Sequence, residues 1–468
     1  MLFNSVEFLY FFIVVTTLFF LIPHKLRWFL LLAASCYFYM YFKPIYILIL
    51  IFTIIIDYTA GILIENEQYK NKKRIYLIAS LIGNIGVLAV FKYYNFINFN
   101  LSFLLGRFDL TNPIPFLSIL LPIGLSFHTF QAMSYTIEVY RGNQKAERHF
   151  GIYSLYVMFY PQLVAGPIER PQNIIHQLHE KKYFTYQNAI TGLNLMALGL
   201  FKKIVIADRL SIYVNQVYGN IENASTISTL LAVIFFSFQI YCDFSGYSDI
   251  ARGAAKFMGF DLMINFNRPY LAQSIGEFWA RWHISLSTWF RDYLYIPLGG
   301  NRTTKAKWLR NLTIVFLLSG LWHGANWTFI VWGGLHAVYL IFGTLTAAFR
   351  NKYFPSLGKL NKISNQIVVF VLVSFAWIFF RAETFSKATL IIKKIGSLDF
   401  SINLTQIAAG NGPLNLILTF ISLFLLAFIS PPKRNGSPYK NVIFLLIITF
   451  LILILGKNDK ANFIYFQF

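Results

Sequence analysis

The chain has 468 residues, of which 57% are hydrophobic, 19% aromatic and only 13% charged, and its mean hydropathy is +0.56. Those proportions exclude a soluble globular protein and put the chain among integral membrane proteins. Forty Lys and Arg against 19 Asp and Glu give a net charge of +21, which in so apolar a chain reads as the basic bias of cytoplasmic loops rather than as a nucleic-acid footprint.

Apolar runs recur from end to end: Phe8 to Ile22, Trp28 to Phe42, Ile45 to Ile64, Ile75 to Val90 and Phe116 to Phe130, then others near positions 190, 229, 313, 329, 367, 415 and 442. At roughly 20 residues per span they predict an all-α, polytopic protein of about eleven to twelve transmembrane helices with further interfacial or re-entrant helices. The first run resembles a signal peptide, but Met1 to Glu7 carries no Lys or Arg and no small-residue cleavage site follows Phe20, so a retained helix is expected. The basic stretches at 24–27 and 70–74 lie two helices apart, as two cytoplasmic loops should, which puts the N-terminus outside the cytoplasm.

Cys36 and Cys242 both sit in apolar stretches far apart in sequence, so neither a disulfide framework nor a zinc pattern is supported. No internal repeat is visible, which disfavours an inverted-repeat transporter. One membrane domain over residues 1–468 is expected, with plain helices at 1–115, a polar-studded core at 116–345 and plain helices again at 346–468. Polar loops at 382–413 and 430–436 divide the last part. Ionisable groups inside apolar surroundings mark function in membrane proteins, so the middle carries the expected site.

Four stretches stand out there. In YPQLVAGPIERP, Tyr160 to Pro171, interior prolines and a glycine forbid a regular helix and predict a broken or re-entrant segment. Glu169 beside Arg170 reads as a partner pair, as the lining of an entrance, or as a solvated pair in an interfacial loop. In QIYCDFSGYSDIARG, Gln239 to Gly253, Asp243 and Asp249 fall on different helical faces, Ser245 and Gly246 hint at a turn, and Arg252 lies one turn from Asp249. An ion pair is a better reading than catalysis.

In GEFWARWHISLSTWFRDYLYIPLGG, Gly276 to Gly300, helical spacing puts Trp279, His283, Leu286, Phe290 and Tyr293 on one stripe and makes Glu277 and Arg281 an i, i+4 pair. Trp282, Trp289, Arg281 and Arg291 suit a helix at the membrane interface. A lone His on such a stripe is more often structural than catalytic. In SGLWHGANW, Ser319 to Trp327, His323 has no Asp, Glu, Lys or Arg from Asn311 to Leu340. Desolvation there favours the neutral imidazole, which can act as a general base, although a helix-packing hydrogen bond is the alternative.

Taken in order, these four stretches, with SFAWIFFRAETFSKA at 374–388 and FIYFQF at 463–468, resemble the membrane-bound O-acyltransferase family, and within it the bacterial branch that acylates exported polysaccharides, typified by alginate O-acetylation. The resemblance covers nearly the whole chain. It implies a core thinned around a central funnel, with the family's essential His falling on His323 and its second on His283. His336 is expected to do no more than support them.

The implied reaction moves an acetyl group from a cytosolic thioester, acetyl-CoA, to a hydroxyl of an exported polysaccharide. It implies a bacterial cytoplasmic-membrane location, an extracytoplasmic esterase-like partner, no metal and no permanently bound cofactor. His323 is the expected base; His283 would orient a substrate or His323 itself. Arg281, Trp282, Ser285, Arg291, Trp322 and Asn326 are supporting candidates, with Trp282, Ser285 and Asn326 the weak candidates for oxyanion donors. Within the family, D-alanyl transfer to teichoic acid and peptidoglycan O-acetylation remain open. A transporter using intramembrane His and Arg, or a secretion scaffold indifferent to both histidines, are the readings from other classes.

Overall fold

In a computed structural model of the chain, residues 1–118, 121–347, 349, 359–398, 412–429, 431, 437–457, 463 and 464 are described, and among them the regular structure is entirely helical. Positions 430 and 432–436 of the expected polar loop at 430–436 and positions 399–411 of that at 382–413 lie outside the described residues, as do positions 465–468 of the terminal motif, while Phe385–Gly396 within 382–413 is helical rather than loop. Among the described residues seven helical stretches are long and apolar enough to cross a membrane: Pro44–Asn66, Lys70–Gly106, Tyr186–Gly219, Thr226–Phe257, Trp327–Leu345, Leu360–Arg381 and Pro438–Leu455. Val6–Leu21 and Leu414–Phe428 are shorter apolar helices. The chain is therefore an all-α, multi-pass membrane protein. The span Pro438–Leu455 is only 11% buried, and the large apolar side chains it turns outward, such as Leu453 and Ile454, suit a lipid-facing surface.

The residues fall into two compact units, Met1–Met196 with Ser248–Met263, and Ala197–Tyr247 with Ile264–Phe468. The first contains α1 (Val6–Leu21), α2 (His24–Met40), α3 (Ile47–Asn66), α4 (Lys70–Leu88), α5 (Tyr94–Gly106) and α6 (Leu125–Arg141). Proline at 113, 115 and 122 keeps the backbone irregular at 110–118 and before Leu125, so among the described residues of the apolar run Phe116 to Phe130 only Leu125 onward is helical. A buried carboxylate ties α3, α4 and α6 together: Asp57 accepts hydrogen bonds from Ser80 Oγ, from Asn84 Nδ2 at 2.8 Å and from Thr136 Oγ1 at 3.0 Å. Such a group is tolerated in apolar surroundings because both of its oxygens have a donor.

The expected break in YPQLVAGPIERP is present. After α7 (Phe150–Met158) comes a single turn, α8 (Tyr160–Leu163), then irregular backbone to α9 (Pro171–His179). The solvated-pair reading of Glu169 and Arg170 is overturned: Glu169 has no exposed surface and its carboxylate accepts from the Met263 amide at 2.6 Å, while Arg170 donates to Ser134 Oγ at 3.3 Å. Burial pushes the Glu169 carboxyl up to about 7.

α10 (Tyr186–Leu200) leads through a π-helical turn into α11 (Asp208–Gly219), and α12 (Thr226–Phe257) follows as one uninterrupted helix of 32 residues. No turn occurs at Ser245 and Gly246. Gly246 is there for close approach, since a Cβ would lie 2.7 Å from the Gly199 carbonyl oxygen. The Asp249–Arg252 pair forms at 3.5 Å. Asp243 instead accepts from Lys203 Nζ at 2.7 Å and from the Ile464 amide at 2.8 Å, and Lys203 also bridges to Asp208 at 2.8 Å.

The stretch Gly276 to Gly300 is not one helix. It consists of α13 (Ile275–Arg281) and α14 (Ile284–Phe290), followed by a π-helical turn over Arg291–Tyr295. His283 separates them in a left-handed conformation, φ 43° and ψ 53°, so the single-stripe expectation fails at that residue. The interfacial reading of Trp282 and Trp289 fails with it, because they are only 1% and 7% exposed. Glu277 and Arg281 do pair, at 2.6 Å. α15 (Lys305–His323), α16 (Trp327–Leu345), α17 (Lys359–Arg381) and α18 (Phe385–Gly396) complete the part of this unit that builds the site, and α19 (Gly412–Phe428) and α20 (Pro438–Leu455) follow.

Candidate active site

The site starts from glycines. A side chain at Gly320 would collide with the Phe329 carbonyl, and one at Gly333 with the Phe316 carbonyl, so α15 and α16 approach backbone to backbone. Small residues at a helix crossing allow this in membranes. The crossing carries His323, the last residue of α15, into the interior with 4% exposure. Gly324 then leaves the helix, and any side chain there would strike the Phe329 ring. The WHG sequence is thus a geometric requirement: an aromatic wall, an imidazole and a position where only hydrogen fits.

His323 stands edge-on among aromatic rings, with centroids 4.9 Å from Trp322, 5.0 Å from Trp332 and 5.3 Å from Phe380. Facing it is His283, fully buried, with its ring centroid 6.4 Å from that of His323. Phe244 on α12 packs edge-on against His283 at 4.6 Å. The two histidines singled out in separate motifs therefore occupy one buried cluster.

His283 is held from behind by a segment that sequence reasoning did not pick out. The backbone around Asn265 runs alongside the break between α13 and α14: Asn267 N–H donates to the Arg281 carbonyl and Ile284 N–H to the Asn265 carbonyl, each at 2.9 Å. Asn265 Oδ1 lies 3.1 Å from His283 Nδ1, 3.2 Å from the Ser285 amide nitrogen and 3.0 Å from Ser285 Oγ. Asn265, His283 and Ser285 are all essentially inaccessible, at 1%, 0% and 0%. Arg268 close by is also left-handed, φ 45°. Two non-glycine residues in this region next to a buried histidine are the kind of backbone strain that clusters at functional sites. An isolated Asn in an irregular stretch gives no sequence signal; only the fold reveals it.

The supporting candidates separate. Trp322 borders His323, and Trp282 packs in the same core, edge-on to Phe266 at 5.1 Å and tilted against Trp377 at 5.0 Å. Ser285 is engaged with Asn265. Asn326 caps α16, accepting from the Thr328 amide at 3.1 Å and donating to the Glu383 carbonyl at 3.0 Å. Arg281 is engaged with Glu277, and Arg291 is an exposed residue paired with Asp292 at 2.7 Å. His336 accepts at Nδ1 from the Trp279 indole N–H, 3.3 Å, and meets Trp332 edge-on with centroids 5.0 Å apart.

A groove of about 140 Å³ runs beside this cluster. Its wall on α14 includes Phe290 and Leu286, its wall on α15 includes Leu312, Phe316 and Ser319, and Arg291 lies on its rim. Ser319 is one turn before His323 and Leu286 three residues after His283, while the imidazoles themselves are not among the groove's lining residues. Among the described residues no group of His, Cys, Asp and Glu is arranged to hold a metal ion.

A buried imidazole pair on irregular helices within a multi-pass bundle fits an enzyme that works inside the membrane. The sequence model of the membrane-bound O-acyltransferase family matches residues 148–382, which carry α13 to α16 and both histidines. The chain is 36% identical over 448 residues to the probable alginate O-acetylase AlgI of Pseudomonas aeruginosa, covering 94% of this chain and 84% of that protein. It is 37% identical over 398 residues to the peptidoglycan O-acetyltransferase of Helicobacter pylori, covering 79% and 73%. Likeness to the teichoic acid D-alanyltransferase of Bacillus subtilis is lower, 28% over 277 residues, covering 56% and 69%. The chain belongs to the membrane-bound O-acyltransferase family and is an acyltransferase.

Proposed function

We propose that this acyltransferase moves an acetyl group from acetyl-CoA on the cytosolic side of the bacterial inner membrane to a hydroxyl of an exported, alginate-like polysaccharide, directly or through an extracytoplasmic esterase-like partner. The observation that carries the chemistry is the buried pairing of His283 and His323. Acyl transfer to a hydroxyl needs a base at the moment the bond forms, and it needs exclusion of water that would otherwise hydrolyse the thioester.

In this reading His323 takes the hydroxyl proton as oxygen attacks the thioester carbonyl. The tetrahedral intermediate collapses with cleavage of the C–S bond, and the thiolate leaves and regains a proton. The apolar groove from Arg291 toward Ser319 suits the slender arm of a thioester. Cys36 and Cys242 lie in neither histidine motif, so transfer proceeds without a thioester on this chain. The basic residues at 24–27 and 70–74, which open α2 and α4, support an N-terminus outside the cytoplasm.

Acetyl transfer is favoured over D-alanyl transfer because the relatives named as O-acetylases match more of the chain at higher identity. The 37% identity with a peptidoglycan O-acetyltransferase supports peptidoglycan as the second acceptor reading. Membranes containing the protein, supplied separately with labelled acetyl-CoA and with a D-alanyl carrier thioester, test the donor. Label from acetyl-CoA on polysaccharide is expected. Label only from the D-alanyl donor would overturn the assignment, and label on peptidoglycan alone would select the second acceptor.

A further inference from the structure

We infer that Asn265 is a positioning residue for acyl transfer: it fixes His283 as the Nδ1–H tautomer, so that Nε2 is the basic nitrogen and His283 enters the reaction as a hydrogen-bond acceptor. This rests on the proposed acyl transfer for its kinetic meaning but not for its structural content.

The deduction is a matter of donors and acceptors. The backbone amide of Ser285 can only donate, and its nitrogen lies 3.2 Å from the Asn265 side-chain atom assigned as Oδ1. That atom is therefore the oxygen and not the amide nitrogen, which removes the usual ambiguity about which way an Asn is turned. A carbonyl oxygen has no hydrogen to give, so the 3.1 Å contact to His283 must be Nδ1–H donating to Oδ1. A neutral imidazole with its hydrogen on Nδ1 has its lone pair on Nε2. The same oxygen takes the Ser285 hydroxyl at 3.0 Å, so three donors converge on one acceptor.

Both ends of the arrangement are fixed. Asn265 is anchored because its carbonyl takes the Ile284 amide at 2.9 Å. His283 is anchored by its left-handed backbone and by the edge of Phe244 at 4.6 Å. The other ionisable ring of the cluster is His323, at 6.4 Å between centroids. Asp243, the neighbour of Phe244 in sequence, is committed to Lys203 and the Ile464 amide. A neutral His283 of this tautomer cannot be an oxyanion donor through Nε2. It holds a hydroxyl or the hydrogen of His323, and the oxyanion must be met by other donors.

Two measurements on the full chain decide this. The first, independent of activity, is nitrogen-15 solid-state NMR of histidine-labelled protein in lipid, with His283→Gln used to assign the His283 signals. The Nδ1–H form is expected in the wild type, and an Nε2–H form would overturn the proposal. The second compares Asn265→Ala and Asn265→Asp, with abundance in the membrane checked. Asn265→Ala is expected to lower kcat about 10- to 100-fold, as loss of an orienting partner does elsewhere, with KM for the donor little changed. Asn265→Asp keeps the acceptor and restores turnover, but its negative charge stabilises the imidazolium, so the acid limb of the pH–rate profile moves to higher pH. Wild-type kcat in Asn265→Ala, or an unmoved limb in Asn265→Asp, would overturn the positioning role. If the wild type transfers no acetyl group at all, the donor reading fails and the spectrum alone decides the tautomer.

Discussion

His336 and His323 lie on helices that cross at Gly320 and Gly333, yet the two rings meet the same indole, Trp332, each with a centroid separation of 5.0 Å. One imidazole is locked into packing by the Trp279 hydrogen bond, and the other is assigned here to chemistry. Replacing them should therefore have opposite signatures.

His336→Ala should lower stability by about 1–3 kcal/mol, because the partly buried Trp279 N–H loses its acceptor and the buried ring leaves a space, and protein that does fold should keep most of its turnover. His323→Ala should remove activity even in the protein that folds, beyond any stability lost to the space left among Trp322, Trp332 and Phe380. Melting curves beside initial rates at equal protein check the pair.

The Gly320–Gly333 crossing is tight enough that Gly320→Leu or Gly333→Leu should force α15 and α16 apart. Activity should fall about as far as it does for His323→Ala, accompanied by reduced abundance, since the change overpacks a buried contact. Gly334→Ala is the control: its nearest contact would be the Leu317 side chain at 3.7 Å, an ordinary distance, and it should be tolerated.

Breaking the buried Asp208–Lys203–Asp243 cluster leaves carboxylates without their cation. Lys203→Met should cost about 3–5 kcal/mol, seen as loss of folded protein in membranes. The triple replacement with apolar residues should recover much of that loss, since it strands no charge.

Glu169 gives a pH dependence outside the histidine pair. Its carboxyl is raised from an ordinary 4.5 to about 7 by burial. Between those values the folded state holds a proton that the unfolded state has released. Stability is therefore fully present below about 4.5 and is lost as pH rises through about 7. Unfolding of Glu169→Gln should lack this component, and comparing the two proteins at pH 5 and pH 8 tests the sign.

Much of this architecture was legible in the residues. Length of apolar runs gave the multi-pass helical class, the prolines of Tyr160–Pro171 gave the broken segment, and the motif order gave the family. Spacing misled where tertiary contacts override local preference. His283 breaks a stretch that looks helical because Asn265 and Ile284 claim its backbone surroundings, and Gly246 resembles a turn residue because close helix packing and turning both require a missing side chain. Ser285 and Asn326 suggested oxyanion donors from their chemistry, yet the structure uses the first on Asn265 and the second as a helix cap. Asn265 had no motif of its own, since hydrogen bonding across the chain is invisible to periodicity.

The central claim is that His323 is the base of a membrane-embedded acyl transfer. The direct test is transfer of labelled acetyl groups from acetyl-CoA to cell-envelope polysaccharide in membranes carrying wild type or His323→Ala at matched abundance. Label on polysaccharide with wild type, and a loss of about 100-fold or more with the variant, is the predicted result. Equal label from both would contradict it.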